Sequence, residues 1–93
     1  MPLIYNIDFS VKAEKELKKL PRQIASKIAD KISHLAIEPR PQGHKKLTNF
    51  HIPNAPGELY RIRIGDYRVV YSIEDNVLTI VVVKVAHRKD VYE

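Results

Sequence analysis

The sequence predicts an α+β protein: a single two-layer domain of order β-α-α-β-β-β, with an antiparallel sheet and two N-terminal helices packed on one face. Three observations carry this. Two helical stripes follow each other between residues 10 and 37. Residues 59–73, LYRIRIGDYRVVYSI, alternate strictly on both sides of Gly65-Asp66. Residues 77–86, VLTIVVVKVA, are an almost unbroken β-branched run, as in a central strand covered on both faces. A chain of 93 residues suits one domain, 1–93, with one modest core.

Residues 3–9, LIYNIDF, are rich in strand formers and give the first strand. Ser10 is placed to cap a helix, with Glu14 and Glu16 in its early turns, where negative charge favours a helix start. Ala13, Leu17 and Leu20 form its apolar stripe. Pro21 ends that helix and opens another, since its missing N–H costs nothing in a first turn. The second helix carries Ile24, Ile28, Ile32 and Leu35 on one face and stops before Pro39. Residues 38–46, EPRPQGHKK, are a connection without apolar side chains, and 47–58 read as a short strand or an irregular segment followed by a loop.

In the hairpin, period-two geometry puts Tyr60, Ile62, Ile64, Tyr67, Val69 and Tyr71 on the face that meets the helices. Arg61, Arg63 and Arg68 share the other. A two-residue turn at Gly65-Asp66 sets Arg63 directly opposite Arg68. Like charges facing each other in a sheet are destabilising, and an anion between them removes the conflict.

The rest of the composition narrows the function. The net charge of +5 favours a polyanionic partner, nucleic acid first and an acidic protein second. There is no cysteine, hence no disulfide framework or thiol nucleophile, in keeping with a reducing cytoplasm. No apolar run approaches a membrane span, and MPLIYNIDFS lacks the features of a signal peptide. The histidines, His34, His44, His51 and His87, show no ligand spacing, and no Gly-rich phosphate loop or nucleophile elbow occurs, so neither metal nor cofactor is expected. What remains is a cationic set. Antiparallel pairing of the last strand with the hairpin brings its end, with His87 and Arg88, towards Arg63 and Arg68, and Tyr92 follows four residues later. Such a set suits metal-free RNA cleavage, in which a 2′-hydroxyl attacks the adjacent phosphate and arginines stabilise the developing charge. Histidine is the side chain whose ordinary titration falls near neutrality, which makes His87 the proton carrier. Lys45 and Lys46 enter the sheet from a basic loop and, with Lys89, are candidate RNA contacts.

The stretches KLTNF…GELYRIRIGDYRVVYSI and VAHRKDVYE, with the β-α-α-β-β-β order, resemble the RelE branch of the RelE/ParE toxin superfamily over essentially the whole chain. The resemblance implies the toxin of a type II toxin–antitoxin system, a metal-independent endoribonuclease that cleaves mRNA in the ribosomal A site. It implies as partners the ribosome, mRNA, an acidic RelB-like antitoxin and operator DNA bound by the complex. By position, Arg61 and Arg63 match the two basic residues that handle the phosphate and the 2′ proton. Arg68 matches the arginine that stabilises the transition state, Arg88 the one linked to leaving-group protonation, and Tyr92 the tyrosine that orients or stacks on the base. The best-known pattern has lysines where Arg61 and Arg63 stand. Arginine stays protonated and is a poor general base, which turns attention to His87. ParE-type relatives, which inhibit DNA gyrase without catalysis on the same fold, are the alternative.

Overall fold

The computed structural model describes residues 4–53 and 55–90. Its elements are β1 (Asn6–Phe9), α1 (Val11–Lys18), α2 (Arg22–His34), β2 (Lys45–Leu47), β3 (Glu58–Ile64), β4 (Tyr67–Glu74), a 3₁₀ turn (Asp75–Val77) and β5 (Thr79–His87). The strands form one sheet in the order β1-β5-β4-β3-β2. The α+β, two-layer class is as the sequence predicts, with two refinements. A short fifth strand, β2, pairs with β3, and β1 runs parallel to β5, so the sheet is mixed rather than wholly antiparallel. Parallel neighbours need a crossover, and α1 and α2 begin it.

The helix boundaries follow from their caps. The Ser10 hydroxyl accepts the Ala13 N–H at 3.0 Å, and Pro21 stands just before α2 with its carbonyl accepting the Ala25 N–H at 2.9 Å. Ala13, Ile28, Ile32 and Leu35 are buried against Tyr60, Ile62, Val69, Tyr71, Ile73, Ile80, Val82 and Val85 in the main core. Where β1 ends, the exposed edge of β5 is closed from α1: the Glu16 carboxylate accepts the Val85 N–H at 2.9 Å. The connection after α2 is pinned by Arg40, which lies over the Tyr60 ring and donates to Asp75 Oδ2 at 3.0 Å, while the Tyr71 hydroxyl donates to the Pro39 carbonyl at 2.7 Å.

The opposite face of the sheet is covered as well. A strap that includes residues 47–53 crosses it, and Leu47, Phe50, Ile52 and Ala55 pack on Leu59, Val70 and Val83 in a second, smaller core. This strap explains why 47–58 resists a simple reading: its apolar residues serve a surface that the helices do not reach.

The β4–β5 register slips by one residue between Val70↔Lys84 and Tyr71↔Val82. A bulge of this kind sends every later side chain to the other face. Val82 and Val85 thus both join the main core, while Val83 and Ala86 face the strap.

Candidate nucleic-acid interface

The hairpin is as the sequence requires. Gly65 has φ +59°, and Asp66 is not among the described residues of positive φ, which matches a turn with glycine at its first central position. The register is Ile64↔Tyr67 and Arg63↔Arg68. A row of cations lies on the face away from the helices, each placed by its strand partner. Lys45 is opposite Arg61, Arg61 opposite Val70, and Val70 opposite Lys84. Nearer the turn, Arg63, Arg68 and Ala86 form the next row. Lys84 escapes the sequence reading, although it is the one charge in the β-branched run; the bulge turns it to this side.

The members differ in access. Arg63 is exposed and Arg68 half-buried, with Arg68 Nη1 donating to the carbonyls of Gly65 and Tyr67, both at 2.9 Å. Arg61 is only 4% exposed, and its Nε has no hydrogen-bond partner. It is thus a sequestered cation, contrary to the open arginine face that alternation alone suggests, because alternation cannot foresee the strap. Ser72 Oγ is likewise buried without a partner on this face.

Beyond β5, the Arg88 N–H donates to the Asp66 carbonyl at 2.7 Å, extending the β4–β5 ladder into the turn, and Arg88 Nε lies 3.8 Å from Asp66 Oδ1. The alternation that ends at Ala86 carries Arg88 to the side of Arg63 and Arg68. His87 goes to the other side. It pairs with Tyr67, and the two rings meet edge-on at 5.5 Å on the helix face. The expectation that His87 converges with the arginines is therefore corrected: the bulge reverses its face.

Lys46 pairs with Tyr60 on the helix face and bridges Glu58 at 3.1 Å, a contact that holds the Glu58 carboxyl below its ordinary range. Lys45 and Lys89 are exposed, and the Lys89 N–H donates to His87 Nδ1 at 3.3 Å. Tyr92 lies outside the described residues. No group of three or more His, Cys, Asp or Glu side chains suited to a metal occurs among the described residues. A separate cleft of about 650 Å³ runs between α2, the 41–43 turn and the edge of β3 at Ile62–Ile64, beyond the end of β2.

Residues 7–92 match the family described as the ParE toxin of type II toxin–antitoxin systems, parDE. The chain belongs to this family. Within the RelE/ParE superfamily, its relatives include the putative toxin RelE1 of Methanocaldococcus jannaschii, 30% identical over 91 residues covering 96% of each chain. The RelE–RelB complex of Pyrococcus horikoshii contains a chain that superposes with a TM-score of 0.77 at 27% identity, covering 94% of this chain and 98% of that one. The toxin–antitoxin complex RelBE2 of Mycobacterium tuberculosis gives the same TM-score at 30% identity, over 97% and 98%. The RelE-like fold and membership of the toxin superfamily follow. No described helix of this RelE/ParE chain is long and apolar enough to cross a membrane.

Proposed function

We propose that this toxin is a metal-independent, ribosome-dependent endoribonuclease that cleaves mRNA in the A site. The 2′-hydroxyl attacks the adjacent phosphorus, the 5′-oxygen of the next nucleotide leaves, and the ends formed are a 2′,3′-cyclic phosphate and a 5′-hydroxyl. The carrying observation is the cross-strand pair Arg63↔Arg68, with Arg88 anchored at the same turn. Three arginines that strand register and the turn bring to one end of the sheet offer donors for the oxygens of a pentavalent phosphate, where charge develops and where such donors act most strongly. Lys45, Lys84 and Lys89 extend the positive surface for neighbouring phosphates.

Proton transfer is assigned to His87 for its chemistry and its place next to Arg88, while its ring packs on Tyr67 on the other face of the sheet. The resemblance adds Tyr92 as the base-stacking residue. The resemblance assigns Arg61 to the phosphate too, from a buried position next to the patch. The RelB-bound state of the structural relatives supports an antitoxin as partner; the positive patch favours an acidic one, which covers the patch and folds as it binds. The toxin–antitoxin pair then occupies operator DNA.

The test is cleavage of a short defined mRNA on programmed ribosomes, in the presence of excess chelator. Codon-positioned cuts with cyclic-phosphate ends, slowed on the order of 100-fold but still measurable in folded Arg68→Ala or Arg88→Ala protein, support the reading. Intact message together with a supercoiling defect in cells assigns the chain to the gyrase-inhibitor class instead; the RelE-type names of its relatives weigh against that outcome.

A further inference from the structure

We infer that Asp66, the second residue of the hairpin turn, is a positioning residue that sets the guanidinium of Arg88 for phosphate. The inference deepens the nuclease reading and rests on it. Asp66 engages Arg88 twice. Its carbonyl accepts the Arg88 N–H at 2.7 Å, and its carboxylate stands 3.8 Å from Arg88 Nε. The first contact fixes where the Arg88 backbone lies. The second draws on one corner of the guanidinium, leaving the two Nη groups for an anion.

The turn accounts for Asp or Asn at this position alike, and the ion pair adds little that would favour the carboxylate. The side chains are 66% and 58% exposed, and an exposed ion pair contributes little to folding. Electrostatics argues against an idle acid here, because a carboxylate at the same turn as this cationic set weakens the attraction for phosphate unless it serves one of its members. Arg88 is the one that needs it. β5 ends at His87, and the chain turns at once, with the Asp90 N–H donating to the His87 carbonyl at 2.8 Å. Arg88 therefore has no further strand to orient it. A contact at 3.8 Å is longer than a hydrogen bond, as contacts in sites without substrate often are.

The experiment compares Asp66→Asn, Asp66→Glu, Arg88→Ala and the double variant Asp66→Asn/Arg88→Ala in cleavage of a defined mRNA on programmed ribosomes. Asn fits the turn equally well. The expected result is a fall in kcat of about 10-fold or more for Asp66→Asn, within the ~100-fold that a ~1 Å misplacement costs. KM and the melting temperature stay unchanged, and Asp66→Glu recovers part of the loss. In the Arg88→Ala background Asp66→Asn has no further effect, because two residues acting as a unit are non-additive. Full activity of Asp66→Asn overturns the inference, as do additive losses in the double variant. So does disappearance of the acidic limb of the pH–rate profile, which makes Asp66 the base itself. Cleavage absent in the unaltered protein overturns the nuclease reading, and this inference with it; cleavage at an undiminished rate in Asp66→Asn overturns this inference alone.

Discussion

Arg63 and Arg68 face each other across the hairpin, and the charge of Arg68 is turned onto the carbonyls of Gly65 and Tyr67, each 2.9 Å from Nη1. The turn thus relieves a repulsion that the strand register imposes. The relief is one-sided, and Arg63 remains the exposed member.

Arg63→Thr is expected to stabilise the fold while damaging function. Threonine is a good strand former, and removing one of two opposed like charges gains a few tenths to ~1 kcal/mol. Cleavage falls by on the order of 100-fold, as when a single oxyanion donor is lost. Urea denaturation and the ribosomal cleavage assay measure the two effects; a clear loss of stability refutes the claim of repulsion.

Arg61→Met tests why a cation is kept under the strap. A buried donor without a partner costs ~1–3 kcal/mol, so an apolar chain of similar length raises stability by roughly 1 kcal/mol. Activity drops 10-fold or more when the strap has to move for Arg61 to reach phosphate. A variant that is more stable and fully active reduces Arg61 to packing for the strap.

Glu16→Ala is expected to cost ~1–3 kcal/mol, because the Val85 N–H then lies part-buried without an acceptor. Glu16→Gln keeps an amide oxygen and changes stability by less than ~0.5 kcal/mol. Equal losses for both variants in chemical denaturation point to charge rather than the hydrogen bond.

Arg40 gives the fold an acid-sensitive tie. Its hydrogen bonds, and then the Tyr5 hydroxyl, hold the Asp75 carboxyl below its ordinary value. A depressed folded-state pKa stabilises above the unfolded value near ~4, and the gain is lost as the pH falls through the lower folded value. Arg40→Gln therefore lowers the urea midpoint at pH 6, and the gap to the unaltered protein narrows at pH 3. A gap that is constant between the two pH values excludes the ion pair as its source.

Local chemistry made much of this protein legible from residues alone. Ser10 capping α1, Pro21 at the start of α2, the stripe of Ile28, Ile32 and Leu35, and the Gly65-Asp66 turn each depend on neighbours within a few positions. The same locality gave the Arg63↔Arg68 pair, because a two-residue turn fixes register outright. The family resemblance rested on the hairpin with its KLTNF approach and on the VAHRKDVYE ending, not on the helices.

Contacts distant in sequence decided the rest. The sequence by itself determined which residues are cationic and which of them sit on the hairpin; the tertiary structure decided which of them meet. A single bulge between Val70 and Tyr71 reverses the facing of everything after it on β5, bringing Lys84 and Arg88 to the arginines and sending His87 to Tyr67. The strap, whose cover over Val70 and Leu59 depends on apolar burial far along the chain, closes over Arg61. Period-two alternation has no memory of an inserted residue and no knowledge of a covering loop, so the membership of the site was settled by register and burial.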